Sequence, residues 1–117
     1  MPSDATPLTP LAPRDFLILL ALAGGDLHGY GLVKTIESET DGEIRMDPAN
    51  LYRALRRMRR DGLVQEVTGP DTGDGPDRRY FRLTPFGRRI AASEAARAGR
   101  LARLARARKL IPGETAR

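Results

Sequence analysis

Residues 47–64 read DPANLYRALRRMRRDGLV, and this stretch predicts a helix whose two ends are both marked in the sequence. Asp47 is a favourable N-cap, and Pro48 fits the first helical position, where its missing N–H would have no partner in any case. Gly62 is suited to the left-handed conformation that commonly ends a helix. The rest of the chain is best understood from this predicted helix outward.

The predicted helix has one apolar face and one charged face. Leu51, Leu55 and Met58 follow helical spacing and therefore stack on one side. The opposite side carries Ala49, Arg53, Arg56 and Arg60. Five arginines fall within eight residues, and the only acids of the segment are at its ends. Such a face requires either open water or a negatively charged partner.

The front of this helix carries side chains suited to reading bases. Asn50 and Arg53 lie in the first turns, where a recognition helix reaches base edges, and they suit adenine and guanine respectively. Tyr52 lies at the flank, where its ring packs inward and its hydroxyl either reaches a phosphate or serves packing alone. We therefore predict a recognition helix whose DNA contacts are Ala49, Asn50, Tyr52, Arg53, Arg56, Arg57 and Arg60.

Length and charge limit the class of protein. With 117 residues and 40% apolar content, the chain suffices for one compact core. Residues 85–117 hold nine Lys or Arg and two Asp or Glu, a surplus of seven, so the other residues sum to −2 within the net charge of +5. This asymmetry suits a polyanion, either nucleic acid or an anionic membrane surface.

Several classes of chemistry are excluded by composition. The chain has no cysteine and one histidine, His28, so it has neither thiolate zinc sites nor a His-rich metal site. No paired carboxylates, Ser-His-acid set or phosphate-binding loop can be recognised. No apolar run reaches the ~20 residues of a membrane span, and no signal peptide is evident. We expect a cytoplasmic protein that is not an enzyme, needs no cofactor or metal, and uses His28 for structure or for phosphate contact.

The N-terminal part predicts a disordered arm and a buried helix. Residues 1–8 are small, polar and proline-containing. Thr9 is expected to cap a first helix that extends to Ala23, with prolines in its first turn. Residues 16–22 are apolar on nearly all sides, which indicates burial against the helix's own domain and against a second subunit, through Phe16 and Leu20.

A second helix is expected to begin after Asp26, which we predict as its cap. Its inward stripe is predicted to be Tyr30, Val33 and Ile36. Gly29 and Gly31 each disfavour a helix by roughly 1 kcal/mol relative to alanine, so they indicate close approach of another element. Ile44 is expected in a short strand before the recognition helix.

Residues 63–67 and 79–83 have the alternation of two paired strands, separated by TGPDTGDGPD at residues 68–77. This loop is too rich in Gly, Pro and Asp for regular structure, and we name it with its two strands the wing. Arg78 and Arg79 start the second strand, and they are predicted to contact a duplex. The acidic loop tip would repel phosphate, so the contact is expected at the base of the wing.

The last segment predicts a long helix over residues 85–111, begun by Thr84, followed by a disordered tail at 112–117. Its apolar stripe is Phe86, Ile90, Leu101, Leu104 and Ile111. Its arginines form either a solvated outer face or a second surface that binds a polyanion; they are Arg88, Arg89, Arg97, Arg100, Arg103, Arg106 and Arg108. A coiled-coil protein or a membrane-surface helix is the alternative interpretation of this segment.

Three helices, a wing and a long last helix make an α+β, mostly α, winged helix-turn-helix, with residues 9–84 as the DNA-binding domain. At this level the chain resembles short PadR-type transcriptional regulators. The resemblance rests on the matches at 10–32, 50–64 and 75–87, in that order, and on the C-terminal helix. Two departures are Gly31, where an acidic residue commonly follows the HGY triplet, and the absence of tryptophan.

The resemblance implies a homodimer in which the C-terminal helix packs on helix one of its partner, with the recognition helix and wing on double-stranded DNA. The dimer contacts would be Phe16, Leu20, Phe86, Ile90, Leu101 and Leu104. It also implies repression that a small aromatic or cationic ligand relieves in some members, although the stacking tryptophan of some relatives is absent here. We therefore predict a repressor on an inverted repeat, with a non-specific basic nucleic-acid-binding protein or a helical structural protein as the alternative.

Overall fold

A computed structural model describes residues 9–69 and 79–112 of the chain. Four helices and three short strands follow one another as α1 (Pro13–Ala23), β1 (Leu27–His28), α2 (Gly29–Glu39), α3 (Pro48–Arg60), β2 (Val64–Thr68), β3 (Arg79–Leu83) and α4 (Pro85–Ala107). The strands form one antiparallel sheet in the order β1-β3-β2. The predicted α+β, mostly α, winged helix-turn-helix is confirmed.

Strands β2 and β3 are the arms of the predicted wing, paired from Val64↔Leu83 to Thr68↔Arg79. Strand β1 adds a third arm that the sequence did not predict, because two residues are too few to show an alternating pattern. The expected strand around Ile44 is wrong. Ile44 lies in the loop before α3, half-buried against the core, and its N–H donates to Thr40 Oγ1 at 3.0 Å.

The core lies where α1, α2 and α3 meet the sheet and the first turns of α4. Its most deeply buried side chains come from every helix: Ile18, Leu19, Leu32, Ile36, Leu51, Leu55, Met58 and Ile90. Because Ile90 is 1% exposed within its own chain, the expectation that it contacts a second subunit is wrong. The first part of α4 belongs to this core, and only its later turns extend beyond it.

Both ends of α3 are as the sequence predicts. The Asp47 carboxylate accepts a hydrogen bond from the Asn50 N–H at 3.2 Å. At the other end Gly62 has a φ of 80°. The N–H of Gly62 donates to the Arg59 carbonyl and that of Leu63 to the Met58 carbonyl, which is a Schellman ending. These local signals fix where the charged helix starts and stops.

The starts of α1 and α2 differ from the predictions. Helix α1 begins at Pro13 after Ala12, which makes no side-chain cap, so Thr9 is not the cap. Helix α2 is capped by His28, whose Nδ1 accepts from the Gly31 N–H at 3.0 Å. Asp26 cannot cap it because the two residues of β1 are held extended against β3, which delays the helix to Gly29.

Two further predictions about helices are wrong. The side chain of Tyr30, predicted to face inward, is 67% exposed, whereas Leu32 is fully buried. Leu32 and Ile36 are four residues apart and therefore share the buried face of α2, whereas Tyr30 lies outside that face. Helix α4 ends at Ala107 rather than Ile111, because Lys109 adopts the left-handed conformation with a φ of 63°.

Candidate nucleic-acid interface

Helix α3 presents a charged face on the side opposite its buried stripe. The stripe is formed by Leu51, Ala54, Leu55 and Met58. Packing of this stripe on α2 and β2 holds the helix so that the other side faces solvent. The outward side carries the exposed residues Ala49, Arg53, Arg56 and Arg60. We call these four residues the outer face of α3.

Asn50 and Arg53 form a pair at the front of the helix. The Arg53 guanidinium donates a hydrogen bond to the side-chain carbonyl oxygen of Asn50. Both side chains are exposed. The contact uses one of the two acceptor positions of the amide oxygen and leaves the amide N–H groups as donors, so the two side chains act as one hydrogen-bonding unit.

The arginines on the two flanks of α3 are paired with acids of neighbouring elements. Arg57 donates two hydrogen bonds to the Asp15 carboxylate of α1, at 2.9 and 3.3 Å. These hydrogen bonds, assisted by the negative charge of Asp15, raise the pKa of Arg57. On the other flank, Arg59 Nη1 lies 3.0 Å from Glu66 Oε1 of β2. The sequence indicated acids only at the helix ends and missed both partners, which come from other elements.

Glu66 also reaches the start of β3. Its Oε2 lies 3.4 Å from Arg79 Nε, so one carboxylate contacts both the recognition helix and the wing. Arg79, predicted to contact DNA, therefore faces an acid although its side chain is mostly exposed. Arg78 and the acidic wing tip lie outside the described residues.

Tyr52 of α3 contacts both the start of α2 and the sheet. Its ring packs edge-on against Phe81, with centroids 6.3 Å apart. Its hydroxyl lies against Gly29, so closely that a Cβ at that position would overlap it. The close approach predicted for Gly29 is thus to a side chain, whereas a Cβ at Gly31 would make only ordinary contacts of 3.5 Å or more.

His28 lies at the junction of β1 and α2. Besides capping α2, its ring contacts Tyr80 of β3 edge-on, with centroids 5.2 Å apart. Beside it, the exposed ring of Tyr30 has the Lys34 ammonium 5.8 Å from its centroid. Sequence reasoning missed Tyr30 as a surface residue because it assigned Tyr30 to the inward stripe of α2.

Apart from the buried Ile90, the predicted dimer residues divide into two groups. Phe16 and Phe86 are half-buried, and Phe86 packs against the core. Leu20, Leu101 and Leu104 are 44%, 57% and 47% exposed. Beyond Ile90, α4 therefore presents large apolar side chains that its own domain does not cover.

In residues 9–69 and 79–112, no set of three or more His, Cys, Asp or Glu side chains is arranged to hold a metal ion. In the same residues, no helix has the length and apolar character required to cross a membrane.

Relatives of known sequence and structure share this arrangement. The chain is 35% identical over 71 residues to the transcriptional regulator Rv3488 of Mycobacterium tuberculosis, a match that covers 61% of this chain and 62% of that protein. A transcriptional regulator of Clostridium thermocellum superposes with a TM-score of 0.65 at 25% identity, covering 80% of this chain and 93% of that one.

Bacillus subtilis PadR in complex with operator DNA superposes with a TM-score of 0.62 at 20% identity, over 72% of this chain and 47% of that chain. The sequence matches the transcriptional regulator PadR-like family over residues 18–93, from the middle of α1 to the first turns of α4. The chain therefore belongs to the PadR-like family of transcriptional regulators, which are DNA-binding proteins rather than enzymes.

Proposed function

We propose that the chain is a sequence-specific repressor that binds an inverted-repeat operator as a homodimer. The observation that carries the proposal is the outer face of α3. Arg53, Arg56 and Arg60 are exposed there. Arg60 also lies 3.5 Å from the carboxylate of the adjacent Asp61, and the flanking arginines are paired with acids of α1 and β2. A helix capped at both ends thus presents exposed arginine side chains on one side, which suits the major groove of a duplex.

Base reading is assigned to the first turns of α3 and phosphate binding to its later turns. Asn50 and Arg53 lie near the N-terminus of the helix, where a recognition helix contacts base edges. Arg56 and Arg60 lie one and two turns further along the same side, where they reach the backbone. Bacillus subtilis PadR, which has the same fold, forms a complex with operator DNA, and this supports DNA binding by the chain.

The homodimer is assigned to α1 and the later turns of α4. Leu101 and Leu104 are large, apolar and exposed on α4, and Leu20 is exposed on α1. Exposed apolar side chains of this kind mark surfaces that a partner covers. A two-fold dimer would then place two copies of α3 in successive major grooves, which is why the operator is proposed to be an inverted repeat.

Release by a small ligand is part of the proposal because the family resemblance implies it, and we assign no residues to it. Repression requires only that the bound dimer occupy a promoter. The alternative, a general basic nucleic-acid-binding protein, uses the same charges without base reading, so sequence preference is the property that separates the two functions.

Selection of bound duplexes from a random pool tests the proposal directly. We expect an inverted repeat whose half-site centres are about one helical turn, 10–10.5 base pairs, or a multiple apart. Inserting five base pairs between the half-sites should abolish specific binding, because it rotates them to opposite faces, whereas inserting ten should restore part of it. A pool with no enriched sequence would favour the general nucleic-acid-binding protein.

A further inference from the structure

Glu66 lies on β2 between the end of α3 and the start of β3. Its two oxygens contact different arginines, with Arg59 Nη1 at 3.0 Å from Oε1 and Arg79 Nε at 3.4 Å from Oε2. The carboxylate is half-buried, while both arginines expose about half or more of their side chains. One acid therefore holds a cation of the recognition helix and a cation of the wing.

The sheet register explains how one side chain reaches both elements. Glu66 is opposite Phe81, and Thr68 is opposite Arg79, so Glu66 and Arg79 are diagonal neighbours on one face of the sheet. Phe81 on this face is buried, and β2 packs against α3. The last turn of α3 therefore brings Arg59 to the same carboxylate.

We propose that Glu66 is a positioning residue that sets DNA specificity, by fixing the base of the wing to the end of α3 and by withholding Arg59 and Arg79 from phosphates. This inference rests on the proposed function. It changes the role predicted for Arg79, from a phosphate contact to an ion-pair partner of Glu66. The duplex is then held by the outer face of α3, while Arg59 and Arg79 stay paired with Glu66.

An ion pair and an arginine released from it differ in what they affect: the ion pair affects folding stability, and the released arginine affects DNA affinity. Ion pairs near the protein surface contribute little to stability, so Glu66 is not required to hold the fold. Each arginine that neutralises a phosphate steepens the dependence of log affinity on log salt by about 0.9, whatever the base sequence. Two released arginines would therefore strengthen binding to every duplex and reduce discrimination.

The test compares Glu66→Gln with Glu94→Gln in the full chain. Glu94 of α4 also pairs with an arginine, Arg97, at 2.8 Å, so the control removes the same charge and releases one arginine far from α3 in sequence. Affinities for the selected duplex and for a scrambled duplex are measured across a salt series. Thermal unfolding of each variant checks that the fold is retained.

We expect Glu66→Gln to bind the scrambled duplex up to about tenfold more tightly at ~0.1 M salt for each arginine released, with a correspondingly steeper salt slope. The ratio of specific to scrambled affinity should fall. Glu94→Gln should match wild type. A discriminating wild type with an indistinguishable Glu66→Gln variant overturns the Glu66 proposal alone, whereas a wild type that binds both duplexes equally overturns the proposed function and this proposal with it.

A second pair of variants tests the proposal without changing Glu66. Replacing Arg59 and Arg79 by Gln in the otherwise wild-type chain should leave the salt slope on the scrambled duplex unchanged, because both arginines are already withheld. In the Glu66→Gln background, the same two substitutions should return the slope to the wild-type value. A slope that becomes shallower when the arginines are removed beside an intact Glu66 would show that they bind phosphate directly, and would overturn the proposal.

Discussion

The hydroxyl group of Tyr52 occupies the space that a Cβ on Gly29 would need. This contact joins the first residue of α2 to the second turn of α3, and the ring of Tyr52 continues it to Phe81 of the sheet. Glycine at residue 29 is therefore required by the approach of another side chain. The φ of Gly29 is not in the left-handed region, so backbone strain plays no part.

Gly29→Ala should destabilise the protein, because Tyr52 must move or the two helices must separate. Overpacking of this kind typically costs about 1–3 kcal/mol. Gly31→Ala is the matched control, since the added Cβ has ordinary contacts and alanine favours a helix by roughly 1 kcal/mol over glycine. Urea unfolding measures both. The penalty of Gly29→Ala should shrink in a Tyr52→Ala background, and an undiminished penalty would assign it to another contact.

The bidentate pair between Arg82 and Asp26 predicts a dependence of stability on pH. The hydrogen bond from the guanidinium, reinforced by its positive charge, lowers the pKa of Asp26 below its ordinary value. A lowered folded-state pKa gives stabilisation that is fully present above the unfolded-state pKa of about 3.9 and is lost as pH falls through the folded value. The effect is small because both groups are exposed.

The urea midpoint of wild type should therefore exceed that of Asp26→Asn at neutral pH, and the two should converge as the pH falls below about 4. Arg82→Gln should add little in the Asp26→Asn background, because the pair is already broken. A difference between wild type and Asp26→Asn that persists unchanged at low pH would mean that the charge of Asp26 is not the source of the stabilisation.

Substitution of the exposed leucines of α4 tests the proposed dimer. Truncation after Thr84 would be unsuitable, because it removes Ile90 from the core of the same chain. Leu101→Gln combined with Leu104→Gln leaves that core intact and should convert the dimer to monomer in light scattering at micromolar concentration. Leu110→Gln is the control, since Leu110 is exposed but lies beyond the end of α4. A double variant that stays dimeric would move the interface elsewhere.

Prediction from sequence succeeded where the deciding interactions are local. The cap of α3 is a contact between Asp47 and Asn50, and its Schellman ending spans only a few residues around Gly62. The four helices, the two strands of the wing and the core face of α3 followed from the same short-range spacing. A pattern within one helix can therefore specify where that helix begins, where it ends and which side it buries.

Prediction failed where contacts join residues distant in sequence. The cap of α2 is His28 rather than Asp26 because β1 pairs with β3, more than fifty residues later. Arg57 is paired with Asp15, which is 42 residues away. Helical spacing places Arg57 and Arg59 at the flanks of the charged face, but it does not show which acids they meet. Only the packing of α1 and β2 beside α3 brings acids to these two flanking arginines.

Base reading by the front of α3 predicts a change in specificity on removal of Arg53. Arg53→Ala should weaken binding to the selected operator by ~1–3 kcal/mol and flatten the preference at one base pair in each half-site. Because Arg53 donates to Asn50, Asn50→Ala and Arg53→Ala should be non-additive when combined. Equal weakening on every sequence would instead assign Arg53 to the phosphate backbone.

The last prediction separates the arginines of α3 from those of α4 by their effect on salt dependence. Arg56 and Arg60 are exposed on the outer face of α3, whereas Arg100 and Arg103 are exposed on α4, beyond the part of that helix that packs in the core. If phosphates are bound by α3, replacing Arg56 and Arg60 by Gln should make the slope of log affinity against log salt shallower by roughly one unit for each lost contact. The paired substitution of Arg100 and Arg103 removes the same charge from the chain, so it controls for net charge and should leave the slope unchanged.

Equal flattening by the two pairs would show that binding follows total charge, because a general polyanion-binding protein does not distinguish one basic surface from another. A shallower slope from the α4 pair alone would place the duplex on the C-terminal helix and remove α3 from the interface.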